Sequence, residues 1–321
     1  MVRYIYSTKI QKQLMITSIF KKSKTINFIT VFFITLLAFV IANLNGINET
    51  LNIVFVVKKL LVLFALFASM LLLSFIVNKN NLTNKSHLEM LFLSLFLLLI
   101  TETTSCSNVV ISNLLVLLGL RRVVSLHSEK AIKKKLFDAA FWFAVAALFY
   151  FWSLLFFILI PFALILHRDK KLRHWIIPFL AIATVSILSI SISIIFYNDY
   201  FKLFSDVFKV NYNYSNYNSI KYLVGITLLL SFGVWSSIFY LQNLKNKKKD
   251  LRASFKIITI AAVIAFFIVI IAPQKNGSEF LFLFAPLAII LANYIDLIQE
   301  KWFKEVFLAT LIIVPFGLLF L

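Results

Sequence analysis

"KKKLFDAAFWFAVAALFYFWSLLFFILIPFALILHRDKKLRH", residues 133–174, is the stretch whose reading decides the fold. From Ala139 to Leu166 it carries no charged residue, with three lysines before it and "HRDKKLRH" after it. A single helix over that interval would run ~42 Å, against a hydrocarbon core of about 30 Å. Two helices turning near "FYFWS" would each run ~21 to 24 Å, so neither crosses comfortably alone. The choice fixes which side of the membrane every later loop faces.

Hydrophobic residues make up 61% of the 321, and apolar runs recur from residue 26 to the last residue with only short polar segments between them. No soluble domain fits in those gaps. Long uncharged segments in lipid must satisfy their own backbone groups, and β-barrel alternation is absent, so the class is an all-α polytopic transmembrane bundle. Cys106 is the only cysteine, which excludes an internal disulfide and a Cys-based metal site. The histidines, His87, His127, His167 and His174, fall in loops, the last three among Arg and Lys. Those cations oppose the neutral, converging imidazoles that a metal needs, so neither metal nor cofactor is expected.

Eleven spans are expected, at about 26–44, 53–77, 88–101, 107–120, 136–149, 151–166, 175–197, 220–241, 257–272, 280–297 and 306–321. Residues 1–25 form a basic N-terminal segment and 26–321 a single integral membrane domain. With the N-terminus in the cytoplasm, 26 of the 32 basic residues fall inside, and only Lys58, Lys59, Lys202, Lys209, Lys221 and Lys275 fall outside. That is the positive-inside bias. It accounts for the net charge of +19 without nucleic acid as a partner, and anionic headgroups add to it. The first span is read as uncleaved, and "MITSIFKKSKTINF" makes Met15 an alternative start.

This bias answers the opening question. A single span over 136–166 would put the basic loops 121–135 and 167–174 on opposite faces and "KNKKKDLR" outside. Two helices keep all three inside. The preceding segment has the same plan, "LEMLFLSLFLLLI", the turn "TETTSCSN", then "VVISNLLVLLGLRR". Irregular polar backbone at membrane depth is tolerated inside protein or beside water, so residues 101–108 are expected to line a recess open to the outer face.

The outer acids are Glu49, Glu102, Asp199, Asp206 and Glu279. Glu102 and Glu279 abut apolar spans, where a carboxylate is either functional or solvated among headgroups. Glu102, between two short helices, is expected to sit deepest. Lys275 and Glu279, four apart, would pair in a helical turn, or Lys275 would bind phosphate. Lys58 and Lys59 either snorkel or hold an anion. In residues 198–219, Phe201, Phe204 and Phe208 at helical spacing precede clustered tyrosines, which reads as an interfacial helix with an aromatic anchor. Phosphate loops, nucleophile elbows and Cys/His clusters are absent from the sequence.

Two resemblances follow. From "MITSIFKKSKTINF" through "NLLVLLGLRRVVSLHSEK" to "KNGSEFLFLFAPLAIILANYID", the chain resembles an uncharacterised family of multi-pass inner-membrane proteins of Bacteroidota. Over about residues 100–175, "NLLVLLGLRR", a basic loop and the 136–175 hairpin are similar to the core of GT-C-type glycosyltransferases. Those enzymes transfer a sugar from a polyprenyl phosphate on the outer face. They usually carry a paired acidic motif in a long first outer loop, where this chain has only Glu49 in an eight-residue loop. They also commonly carry Lys or Arg where it has "FYFWS".

The resemblance implies an inner-membrane protein of envelope biogenesis. In it Glu102, before Glu49, would be the general base on an acceptor hydroxyl. Lys275 and Lys59 would hold the lipid phosphate and Glu279 would contact substrate. The competing class is a non-enzymatic transporter or assembly partner. The sequence names no protein partner.

Overall fold

The computed structural model describes residues 25–43, 53–84, 87–169, 171–200 and 209–320. Among the described residues every regular element is a helix. Eleven α-helices follow one another: α1 (Thr25–Asn43), α2 (Ile53–Lys79), α3 (Leu88–Leu99), α4 (Ser107–Val124), α5 (Ile132–Phe149), α6 (Leu159–Leu166), α7 (Leu172–Tyr197), α8 (Ile220–Gln242), α9 (Lys249–Ile271), α10 (Leu281–Leu297) and α11 (Lys301–Gly317). Short 3₁₀ turns join several of them, including Thr101–Thr104 and Phe151–Ile158. Each α-helix coincides with one expected span.

Eight helical segments are long and apolar enough to cross a membrane. The expectation of about eleven spans is therefore met by length and composition for eight, while α3, α5 and the Phe151–Leu166 segment fall short. α3 has 12 residues, all buried, so it is surrounded by protein and has no need to reach either surface. It packs against α10, which is also buried on nearly every side. Apart from Glu89 and Ser94, α3 is apolar all round, as befits a helix at a bundle centre. The outer helices instead expose large apolar side chains such as Phe33, Phe64, Phe179 and Ile195, the surface a hydrocarbon solvent requires.

The stretch at 133–174 breaks at Tyr150, which is extended at φ −146° and ψ 103°. Phe143 and Phe156 then stack with ring centroids 6.2 Å apart, whereas thirteen residues of continuous helix would separate them by ~20 Å. The chain folds back on itself. Leu126 and Ile132 on one arm line the same pocket as Leu164 and His167 on the other, so the two basic loops lie at one end of the bundle.

Other contacts gather at that end: Arg122 pairs with Asp138 at 2.9 Å, Ser254 donates to the Val124 carbonyl at 2.9 Å, and the Asn84 amide reaches Asp296 at 3.3 Å. α1 enters from this basic end, with Phe28 5.3 Å from the His87 ring. α4 and α5 approach so closely that a Cβ on Gly119 would lie 2.4 Å from the Phe143 ring, which is why glycine stands there. Glu49, Asp206, Met15 and the expected interfacial helix over Phe201–Phe208 lie outside the described residues.

Candidate functional site

At the opposite end of the bundle, α3 stops at Ile100 and the chain makes the turn Thr101–Thr104. Its hydroxyls satisfy its own backbone: Thr103 donates to the Ile100 carbonyl at 2.7 Å, Thr104 to Thr101 at 2.9 Å and Ser105 to Glu102 at 2.7 Å. Two threonines and a serine thus permit irregular backbone beside buried helices, because few carbonyls are left bare. The turn packs against a second one, Ser278–Phe280, which brings the Glu102 and Glu279 segments side by side.

The two acids differ in environment, and the expectation that Glu102 sits deepest is corrected. The Glu102 side chain is 35% exposed, and its Oε1 accepts from Lys221 Nζ at 3.2 Å. Lys221 also donates to the Thr101 hydroxyl at 3.0 Å. Glu279 is fully buried, accepts a hydrogen bond from the Tyr217 hydroxyl on Oε1, and has no partner on Oε2. Depth follows packing rather than neighbouring helix length. α4 runs on to Val124, past the expected boundary, because Arg121 stacks on Phe75 at 4.6 Å and Arg122 pairs with Asp138.

Lys275 is 2% exposed, and its ammonium donates to the Val269 and Ile270 carbonyls at 2.6 and 2.5 Å. It caps the C-terminal end of α9, where unpaired carbonyls and the helix dipole favour a cation. Burial pushes its pKa down to about 8. The expected Lys275–Glu279 pair does not form. Gly277 between them has φ +88°, a left-handed bend that replaces the helical turn such a pair requires. A Cβ there would also meet Tyr222 at 2.8 Å.

Lys59 bonds to Asn43 and lies 5.4 Å over the Phe55 ring, so its described partners belong to α1 and α2. Of the five candidates, Glu102, Glu279 and Lys275 thus share one end of the bundle, and Glu49 lies outside the described residues. Sequence reasoning missed Lys221, Tyr217 and Tyr214 as their partners. Lys221 offered one signal, a cation in the first turn of an apolar span. The tyrosines expected as a membrane anchor partly turn inward. The Tyr214 hydroxyl reaches the Ile270 carbonyl at 3.0 Å, and the Tyr222 hydroxyl reaches the Asn276 carbonyl at 2.8 Å.

Beside these turns lies a recess of about 860 Å³. Tyr150 and Trp152 from the chain break line it together with Asn108, Lys209, Asn211 and Gln274. Cys106 and Ser278 also reach it, so the expected recess at residues 101–108 has a counterpart, although Glu102 and Glu279 are not on its wall. Trp152 is held by its indole N–H donating to the Lys209 carbonyl at 3.1 Å. The Tyr150 phenol is pushed above its ordinary pKa, first by burial and then by facing Glu279 and Cys106. Phe151 and Trp152 form a shared wall with an apolar groove of about 410 Å³ between Leu155 and Phe157 on one side and Phe179 and Ile182 on the other. Among the described residues no three His, Cys, Asp or Glu side chains converge as metal ligands.

Membrane-length helices around a fully buried apolar centre, with lipid-type exposure outside, define a polytopic helical membrane protein. The chain belongs to a family described as "Family of unknown function (DUF6427)", which matches residues 15–320. No curated protein and no solved structure matches it.

Proposed function

We propose that this is a bacterial inner-membrane protein of envelope biogenesis, with a GT-C-like core, that binds a polyprenyl-phosphate-linked sugar on the outer face and transfers the sugar. One observation carries the reading: a polar, aromatic recess and an apolar groove lie next to each other, sharing Phe151 and Trp152 in their walls. An amphipathic ligand needs both. Indole and phenol rings offer flat apolar faces with polar tips, and Asn108, Asn211 and Gln274 supply amide donors and acceptors for hydroxyls. The groove suits a hydrocarbon chain.

The positive-inside rule assigns the recess to the outer face, because the basic loops gather at the other end. In this reading Glu102 is the general base, taking a proton from the acceptor hydroxyl as that oxygen bonds to the sugar and the phosphate leaves. Lys221 pairs with it at 3.2 Å. Lys209 on the recess wall, rather than the buried Lys275, would meet the phosphate.

The second reading, a non-enzymatic carrier or assembly partner, is favoured by the position of Glu102 off the recess wall. Complementation of a deletion strain, scored by its lipid-linked saccharides, separates the two. Transfer predicts that Trp152→Ala and Glu102→Gln both fail while accumulating normally in the membrane. Failure of Trp152→Ala alone supports the carrier, and full activity of both variants removes the site.

A further inference from the structure

At the basic end, a separate pocket of about 350 Å³ lies between the loop after α4 and the loop after α6. Its floor is apolar, made by Leu126, Ile132, Ala163 and Leu164, and its rim carries His167, Arg168 and Lys171. The acid at the rim, Asp169, is already engaged: Oδ2 meets His174 Nδ1 at 2.5 Å and Oδ1 accepts from the Lys171 amide at 3.0 Å. Neither the Arg168 guanidinium nor the Lys171 ammonium has a hydrogen-bond or ion-pair partner among the described residues. His167 Nε2 is buried and also unpartnered. Glu129, on the opposite side of the pocket, is exposed.

The backbone adds an independent observation. α6 ends in a Schellman motif, with the Arg168 amide bonding to the Ile165 carbonyl and the Asp169 amide to the Leu164 carbonyl, both at 3.0 Å. The residue in the left-handed position is Arg168, at φ 54°. Glycine is the usual occupant there, or asparagine, and α2 does end that way at Asn81 (φ 50°). Arg168 is a costly choice for ending a helix, and what it achieves is a guanidinium held at the pocket rim. Strained backbone of this kind is a pointer to function.

We infer that this pocket binds the phosphate of an anionic phospholipid, with Arg168 and Lys171 around the phosphate and the acyl chain over the apolar floor. Arg matches a phosphate with its planar fork, and Asp169, turned to His174 and the Lys171 amide, leaves the guanidinium free to make that contact.

The test uses the full chain in nanodiscs, with Arg168→Gly as the main variant. Glycine suits the left-handed position, so this variant folds at least as well as the parent while losing the guanidinium. Lys249→Gln, an exposed charge at the same end that does not line the pocket, is the control for diffuse attraction. Retention of phosphatidylglycerol over phosphatidylcholine through purification is measured by native mass spectrometry. The expected result is a preference for phosphatidylglycerol that falls about tenfold in Arg168→Gly, the loss of one charge-assisted contact, and stays unchanged in Lys249→Gln. Equal retention by the parent and Arg168→Gly, or equal losses in both variants, would overturn the site. Displacement of the lipid by glycerol phosphate at comparable concentration would overturn the lipid assignment in favour of a soluble phosphate.

Discussion

The Tyr217–Glu279 contact ties the loop before α8 to the turn before α10, and its removal has a calculable cost. The phenol is the side-chain donor to a carboxylate that is fully buried, which the Gly277 and Glu279 amides also face. A hydrogen bond to a charged acceptor contributes about 1.5–3 kcal/mol, and a buried acceptor left without its donor lies toward the upper end of that range. Tyr217→Phe should therefore destabilise by about 2–3 kcal/mol. Glu279→Gln keeps an acceptor oxygen in the same position and should cost ~1 kcal/mol. In the double variant the phenylalanine has no further bond to break, so a double-mutant cycle should return a coupling of at least ~1 kcal/mol. The sole cysteine makes the assay clean. Cys106 is half-buried on the recess wall, and its reaction with a thiol dye across a denaturant series reports unfolding. A Tyr217→Phe variant within ~0.5 kcal/mol of the parent, or a coupling near zero, would refute the contact.

Reporters fused after Lys134 and after Arg173 should both read as cytoplasmic, and opposite readings would restore a single long span. Gly119→Ala should destabilise, since its Cβ would overlap the Phe143 ring, and Gly119→Ala combined with Phe143→Leu should recover part of the loss in the same dye assay. Lys275 has its pKa lowered by burial to about 8, from 10.5 in the unfolded chain. The unfolded state therefore binds the extra proton between those values, and stability should rise with pH across that window. A Lys275→Met variant should lose this rise, and identical pH profiles for parent and variant would contradict it.

The helices were legible because their ends are marked by charge. "KKKLFD" in the first turns of α5 and "HRDKK" after α6 bracket a run too long for one span and too weakly polar at "FYFWS" to show its turn by composition alone; the charge asymmetry of the loops supplied the rest. The site was legible only in part. Tyr217 meets Glu279 across 62 positions and Lys221 meets Glu102 across 119, and no local pattern encodes such pairings. Local spacing also misled. Lys275 and Glu279 stand four apart, but one left-handed glycine between them sends the ammonium to the end of α9 and the carboxylate to Tyr217. The depth of Glu102 was misjudged because burial depends on which helices surround a turn, and its side chain stays part-exposed beside Lys221.

The central claim, an outward-facing recess for a lipid-linked sugar, can be tested on the native thiol. Cys106 lies on the recess wall at the end opposite the basic loops, so a membrane-impermeant maleimide should label it in right-side-out vesicles and not in inverted ones. Added polyprenyl-phosphate sugar should slow that labelling severalfold, whereas phosphatidylglycerol should leave it unchanged. Labelling confined to inverted vesicles, or a rate indifferent to the polyprenyl-phosphate sugar, would contradict the account.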